Sequence, residues 1–279
     1  MEYLMTYGWA ILIIAVVLGA LFQLGVFNSS SFSPRAPPGA CQVFRPGGPG
    51  TTTNINLMGV CTGQLPQYVA QFNGQNSNIL IGNSAVLNPT FITVSSWINT
   101  NANGVWQRAV NKGDPNAGLS DPGYELMVTS TDKISFTVNG ITALGTAGTV
   151  SSFVIKNTWY HAVGTYDGSN IRLYVNGVLL DQPALVAGSF SNAYDLRIGA
   201  RRQLATQFFS GLIENVQIYN ISLTANQVQA LYLEGIGGAP MKLQNLAGWW
   251  PLNGNSNDYS GNNNNGVPTA VTFTSQYGK

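Results

Sequence analysis

Between residues 66 and 233 the chain breaks into short runs in which apolar and polar positions alternate, separated by clusters of Gly, Asn, Asp and Pro. A period of two sends successive side chains to opposite faces of a strand, and closely spaced turn signals between such runs predict an all-β sandwich. "FITVSSWI", residues 91–98, sets Ile92, Val94 and Ile98 on one side and Phe91 and Trp97 on the other. Both faces are apolar, so a central strand is predicted. "TWYHAVGTY", "IRLYV" and "VLLD" follow one another through "DGSN" and "NG". Asn176-Gly177 is the strongest hairpin signal, because a type I′ turn needs positive φ at both central residues. "DLRIG" and "LIENVQIY" add two more strands, and one soluble helix is expected where Thr224 and Gln227 form a capping box ahead of Val228, Leu231 and Tyr232.

The pattern is different at the start. Tyr3 to Phe27 carries no charged residue and, wound as a helix at about 1.5 Å per residue, would reach across a hydrocarbon core of about 30 Å. A secretory leader has a shorter apolar region behind a positive start, whereas this start is acidic and no Ala-x-Ala site follows. Gly8, Ala10, Ala15, Gly19 and Ala20 permit close approach of like helices without requiring it. "MEYLMTYGWAILIIAVVLGALFQLGVF" resembles the N-terminal helix of archaeal type IV pilin-like proteins. By that resemblance Glu2 pairs with the terminal amine of a neighbouring subunit in a filament core. The alternative is an interfacial carboxylate that marks the membrane edge. The basic leader of that family is absent, so either the start is already processed or the true start lies upstream.

Residues 28–65 are rich in Pro, Gly, Ser and Thr and read as a stalk leading into a clipped loop. Cys41 and Cys61 are expected to pair there in an oxidising compartment, since the lone His161 leaves no four-ligand zinc set. The sequons at Asn28 and Asn220 fit a glycosylated outer domain. Only 8% of residues are charged and the net charge is +1, with the basic residues scattered apart from Arg201 and Arg202. Nucleic acid, which needs a clustered positive face, is therefore excluded as a partner.

"QYVAQFNGQNSNILIG", "FITVSSWIN", "TWYHAVGTYDGSNIRLYVNGVLL", "LRIGARR" and "FFSGLIENVQIYNISLTANQVQALY" resemble, in order, the successive motifs of laminin-G-like domains of the concanavalin A-like jelly-roll superfamily. The resemblance implies two curved antiparallel sheets with ligands on the concave face or at the rim loops. Members of that family open with a Trp-Pro strand and an Asp-x-Ser-Gly-Asn turn. Here such a stretch, "WWPLNGNSNDYSGNNNNGVPTAVTF", comes last. A circular permutation is expected, with residues 248–279 supplying the opening strands of a jelly roll over 66–279. A strand donated to a neighbouring subunit and the stump of a second domain are the rivals.

Glycoside hydrolysis needs two carboxylates about 5–9.5 Å apart. Glu2, Glu125, Glu214 and Glu234 are far apart in sequence and no strand carries a close acidic pair, so the chain is not expected to be an enzyme. His161, alone in a strand motif, reads as structural. Calcium is the cofactor the family implies. Asp114 and Asp121 are candidate rim ligands, or turn formers beside Pro115 and Pro122. Asn73 and Glu214 stand where relatives often have aspartate and some hold a structural ion. Arg201 and Arg202 stand where calcium-binding relatives can be acidic, which weakens a rim site. Sugar binding would use aromatic platforms such as Trp106, Tyr124 and Tyr194 beside asparagine amides, although sandwich aromatics more often belong to the core.

The expected function is a cell-surface filament subunit displaying an adhesive laminin-G-like head, anchored by residues 1–27 in lipid or among copies of itself. The alternative is a membrane-anchored, monomeric carbohydrate-binding receptor with a glycan or protein ligand. An anchored glycan hydrolase is the weakest reading.

Overall fold

The computed structural model describes residues 13–17, 41–44, 52–55, 65–113, 123–139, 141–144, 154–182, 192–202 and 207–277. The chain divides into two units, residues 1–35 and 36–279. Of the first, residues 13–17 are helical, and Ile13, Ile14, Val16 and Val17 are exposed. Among the described residues no helix is long and apolar enough to cross a membrane. The remainder of the expected span, the sequon at Asn28 and most of the stalk lie outside the described residues. Within the stalk, β1 (Cys41–Phe44) pairs antiparallel with β2 (Thr52–Ile55). Cys61, the expected partner of Cys41, also lies outside the described residues.

The second unit is a sandwich of two antiparallel sheets. One is eight-stranded, in the order β12 (Val178–Asp181), β11 (Ile171–Val175), β10 (Tyr160–Tyr166), β5 (Ile92–Thr100), β14 (Ser210–Tyr219), β3 (Val69–Asn73) and β17 (Thr272–Thr274), with β15 (Leu246–Trp250) also on β14. The other is seven-stranded, in the order β16 (Gly266–Thr269), β4 (Asn78–Ile81), β13 (Leu196–Ile198), β6 (Gln107–Lys112), β7 (Tyr124–Val128), β8 (Ile134–Val138) and β9 (Ile141–Leu144). The main core lies between them. Ile92, Val94 and Ile98 of β5 and Ala162 and Tyr166 of β10 meet Leu126, Val128, Phe136 and Val138 from the facing sheet. At Gly164 the sheets leave no room for a side chain: a Cβ there would stand 2.0 Å from Cγ of Phe136.

The alternation read from the sequence holds at most positions, although Phe91, expected on the face of Trp97, precedes β5 and is 44% exposed. Trp97 points away from the main core into a second cluster with Trp159, Leu212 and Tyr232, so β5 is buried on both faces between β10 and β14. Ile171, Leu173 and Val175 face the core, while Tyr174 joins a third cluster under the helix. Asn176 (φ 50°) and Gly177 (φ 76°) both adopt the positive φ that the hairpin requires. The helix α1 (Ala225–Glu234) starts at Thr224, whose hydroxyl accepts from the Gln227 N–H while the Gln227 side chain accepts from the Thr224 N–H. Val228, Leu231 and Tyr232 bury its apolar face on the outside of the eight-stranded sheet, which explains why that sheet is apolar on both sides.

The C-terminal segment enters both sheets of its own chain. β15 pairs with β14, β16 with β4 and β17 with β3. Adjacent tryptophans must point to opposite faces of a strand, and Trp250 enters the main core while Trp249 packs at the edge of the outer cluster. The asparagine-rich turn is held by its own polar groups. Asp258 accepts from the N–H groups of Trp249, Ser260 and Asn264 at 2.9 Å, and the Asn262 amide donates to the carbonyls of Leu246 and Ala247 at 2.9 and 3.2 Å.

Candidate functional site

Three places gather polar chemistry. The first is at the rim of the seven-stranded sheet, where β4 ends, β6 ends and β13 begins. Leu196 is paired with both Ile81 and Lys112, so the residues just beyond these positions converge. There a recess of about 640 Å³ is lined by Asn83, Ala85, Asn88, Asn192 and Ala193. The Lys112 side chain, fully buried, reaches it from below and donates to Oδ1 of Asn83 (2.8 Å), Oδ1 of Asn192 (3.1 Å) and the Tyr194 carbonyl. Burial pushes the Lys112 ammonium down to about 8, against the opposing pull of Asp195. The Asn88 amide donates to Asn83 Oδ1 at 3.1 Å, and Asp195 Oδ1 accepts from the Asn83 N–H at 3.2 Å. Beside the recess the Arg202 guanidinium lies 3.7 Å from the centre of the Tyr194 ring.

The second place is the outer face of the seven-stranded sheet. Tyr124, Leu126 and Val128 of β7 face the core, so Glu125 faces outward, where Arg108 Nε donates to it at 2.8 Å and Asn111 Nδ2 at 3.1 Å. Both members of the ion pair are buried, and Trp106, 41% exposed, stands 5.4 Å from the Arg108 guanidinium.

The third lies on the outer face of the eight-stranded sheet. His161 is buried, its Nε2 is 2.8 Å from Ser95 Oγ, and its ring lies 5.0 Å from Trp97 and 6.1 Å from Tyr232. Burial pushes the imidazole down to about 3, so it is neutral. The Ser95–His161 pair is buried beside the rings of Trp97 and Tyr232. Glu214, the cross-strand partner of Trp97, is 1% exposed and neither carboxyl oxygen has a hydrogen-bond partner. Burial holds its carboxyl well above the ordinary value of 4.5. It lines a recess of about 330 Å³ with Trp249, Tyr259, Asn215 and Asn253.

The expected site residues are distributed differently from the sequence reading. Glu2, Asp114 and Asp121 lie outside the described residues. Asn73 and Glu214 are not neighbours: Asn73 pairs with Ser210, four residues from Glu214 along β14, about 13 Å at a rise of ~3.3 Å per residue. The Asn73 amide oxygen is committed to its own turn, accepting from the N–H groups of Gln75, Asn76 and Ser77. These two residues therefore do not converge, and among the described residues no group of three or more His, Cys, Asp or Glu does so. Tyr124 is not a sugar platform: it is fully buried and donates to the Leu87 carbonyl at 3.1 Å. Trp106 and Tyr194 both lie beside guanidinium groups near the surface. Asn220 is exposed, and its Oδ1 accepts from Asn245 Nδ2 at 3.0 Å. Glu125 and Glu214 sit on the outer faces of different sheets, which is not the arrangement of a hydrolytic pair. Lys112 and the asparagines around it escaped the sequence reading because 80 residues separate Lys112 from Asn192. The one legible signal for the third site was the Trp-Trp dipeptide, whose second face needed a use.

The comparisons with known proteins agree with this architecture. A family model described as the concanavalin A-like lectin/glucanases superfamily matches residues 73–229, more than half of the chain. Among solved structures, a proposed carbohydrate-binding protein from Bacteroides ovatus is similar at a TM-score of 0.60 and 17% identity, over 80% of this chain and 66% of that one. The chain thus spans just under two thirds of that protein's length. A heptameric SAP-like pentraxin from Limulus polyphemus is similar at a TM-score of 0.52 and 12% identity, over 76% of this chain and 96% of that one. No curated protein matches the sequence.

Proposed function

Since this chain belongs to the concanavalin A-like lectin/glucanases superfamily, we propose that its β-sandwich is a carbohydrate-binding head displayed outside the cell, with the asparagine recess at the rim as its glycan site. The observation that carries the reading is the recess itself. Three carboxamides, two of them bonded to a buried ammonium, line about 640 Å³, within the range of about 300–1,000 Å³ typical of small-ligand sites. The Lys112 ammonium donates to the carbonyl oxygens of Asn83 and Asn192 and so fixes both carboxamides. Amide N–H groups held in this way donate to sugar hydroxyl and ring oxygens, and a neutral glycan meets little net charge. Binding and release are the whole activity, and no acid–base step is assigned.

Of the roles expected from the sequence, glycan binding is better supported than filament assembly. The filament role rests on Glu2 and the segment to Phe27, of which only residues 13–17 are described. The test is a glycan array probed with the purified chain, followed by calorimetry on the strongest ligand. Asn83→Ala and Asn192→Ala are each expected to weaken binding by roughly tenfold, the equivalent of about 1.4 kcal/mol. Binding should also fall as pH rises through about 8, where Lys112 loses its proton. An array without signal, or affinity untouched by both substitutions, would refute the reading.

A further inference from the structure

Glu214 poses a problem that the rim recess does not touch. A carboxyl group 1% exposed with neither oxygen hydrogen-bonded is costly to keep. Its setting is specific. β14 changes register between Glu214 and Gln217, with Asn215 at φ 53°, so the strand kinks where β15 takes over the pairing from β3. The recess that Glu214 lines is walled by Trp249 and by Tyr259, which is 53% exposed; their rings are 6.1 Å apart with planes at 64°.

The neighbouring polar groups are already engaged. Asn215 Oδ1 accepts from Trp249 Nε1 at 2.8 Å and from Gln217 Nε2 at 2.9 Å, and Asn215 Nδ2 donates to the Gly238 carbonyl at 2.7 Å. Asn253 Oδ1 accepts from the Tyr68 N–H at 2.9 Å. One buried carboxyl group is thus left without a hydrogen-bond partner, beside an aromatic wall. A hard divalent cation wants about six to eight oxygen ligands, which this wall does not offer. A primary ammonium suits it better, because N–H donors satisfy both carboxyl oxygens in charge-assisted bonds and the aromatic faces attract a single positive charge. The recess, about 330 Å³, lies at the small end of ligand sites.

We propose that this recess is a second binding site, separate from the rim, that takes a primary ammonium carried on a small polar ring, an amino sugar of the glucosamine class. On binding, Glu214 gives up its proton to solvent, the ammonium donates to the resulting carboxylate, and Trp249 and Tyr259 flank the ring. This site is independent of glycan binding at Asn83 and Asn192.

The test is calorimetric titration of the full chain with glucosamine, N-acetylglucosamine and calcium chloride, each alone. Glucosamine is expected to bind and N-acetylglucosamine, which has lost the charged amine, to bind at least roughly tenfold more weakly. Glu214→Gln and Tyr259→Ala are each expected to weaken glucosamine by a similar factor. Tyr259 is exposed, so its variant keeps the fold and decides the matter if Glu214→Gln does not. Absence of glucosamine binding, equal binding of the acetylated sugar, or indifference to both substitutions overturns the proposal. Calcium binding that disappears in Glu214→Gln overturns it as well, in favour of a metal site.

Discussion

Burial has been solved in three ways for four ionisable side chains. Arg108 and Glu125 neutralise each other across 2.8 Å. His161 stays neutral, with Ser95 as its partner. Glu214 has no partner, and burial favours its protonated form. The sign of the consequence follows from linkage. A carboxyl whose folded pKa is raised contributes stability that is fully present below its unfolded value and is lost as pH rises through the folded one. The ordinary value is 4.5 and the folded value lies well above it, so the loss begins just above pH 4.5. Glu214→Gln, which keeps the shape and cannot ionise, is expected to melt at or above the temperature of the parent at pH 7. Its melting temperature should also decline less between pH 4.5 and neutrality. A variant that melts lower than the parent at pH 7 would show that the carboxylate is paired in the folded protein.

At the scale of elements, local rules and packing agree in most of the sandwich. The Asn176-Gly177 hairpin and the Thr224 cap are written in residues whose side chains or φ values suit only those positions. Both were legible because their causes lie within four residues. Gly164 was not legible. Nothing in "HAVGTY" separates it from a weak strand residue, yet the Phe136 ring of the opposite sheet occupies the place of its Cβ. Gly164→Ala forces the sheets apart or the ring from its rotamer, and overpacking of this kind costs about 1–3 kcal/mol. Urea unfolding is expected to show that loss as a lower midpoint with an unchanged slope. A midpoint equal to the parent's would mean that the sheets yield freely there.

For the whole molecule, the question is what the last thirty or so residues do. They carry Trp250 into the main core, a strand into each sheet and Tyr277 against Trp159, whose Nε1 donates to the Tyr277 carbonyl at 3.0 Å. Loss of one buried tryptophan costs about 3–5 kcal/mol, a large part of the roughly 5–15 kcal/mol that holds a domain together. A chain ending at Ala247 should therefore lack a cooperative melting transition. Melting at the parent's temperature would reduce the segment to an appendage. The same segment builds the Trp249–Tyr259 recess, so the truncation should abolish glucosamine binding too.

Strand existence, the central place of β5, the hairpin, the helix and the family resemblance were all determined by the sequence alone, because alternation, turn chemistry and capping are short-range and leave their marks in consecutive residues. What only the tertiary structure decided is which distant residues share a site. Lys112 with Asn83 and Asn192, and Glu214 with Trp249 and Tyr259, are brought together by strand register and by the return of the C-terminal segment. Register is a property of pairs of strands, and no single stretch of chain encodes it. Tyr124 shows the same limit from the other side: its aromatic ring suited the core better than a sugar platform without excluding the latter, and only the facing sheet settled that it is core.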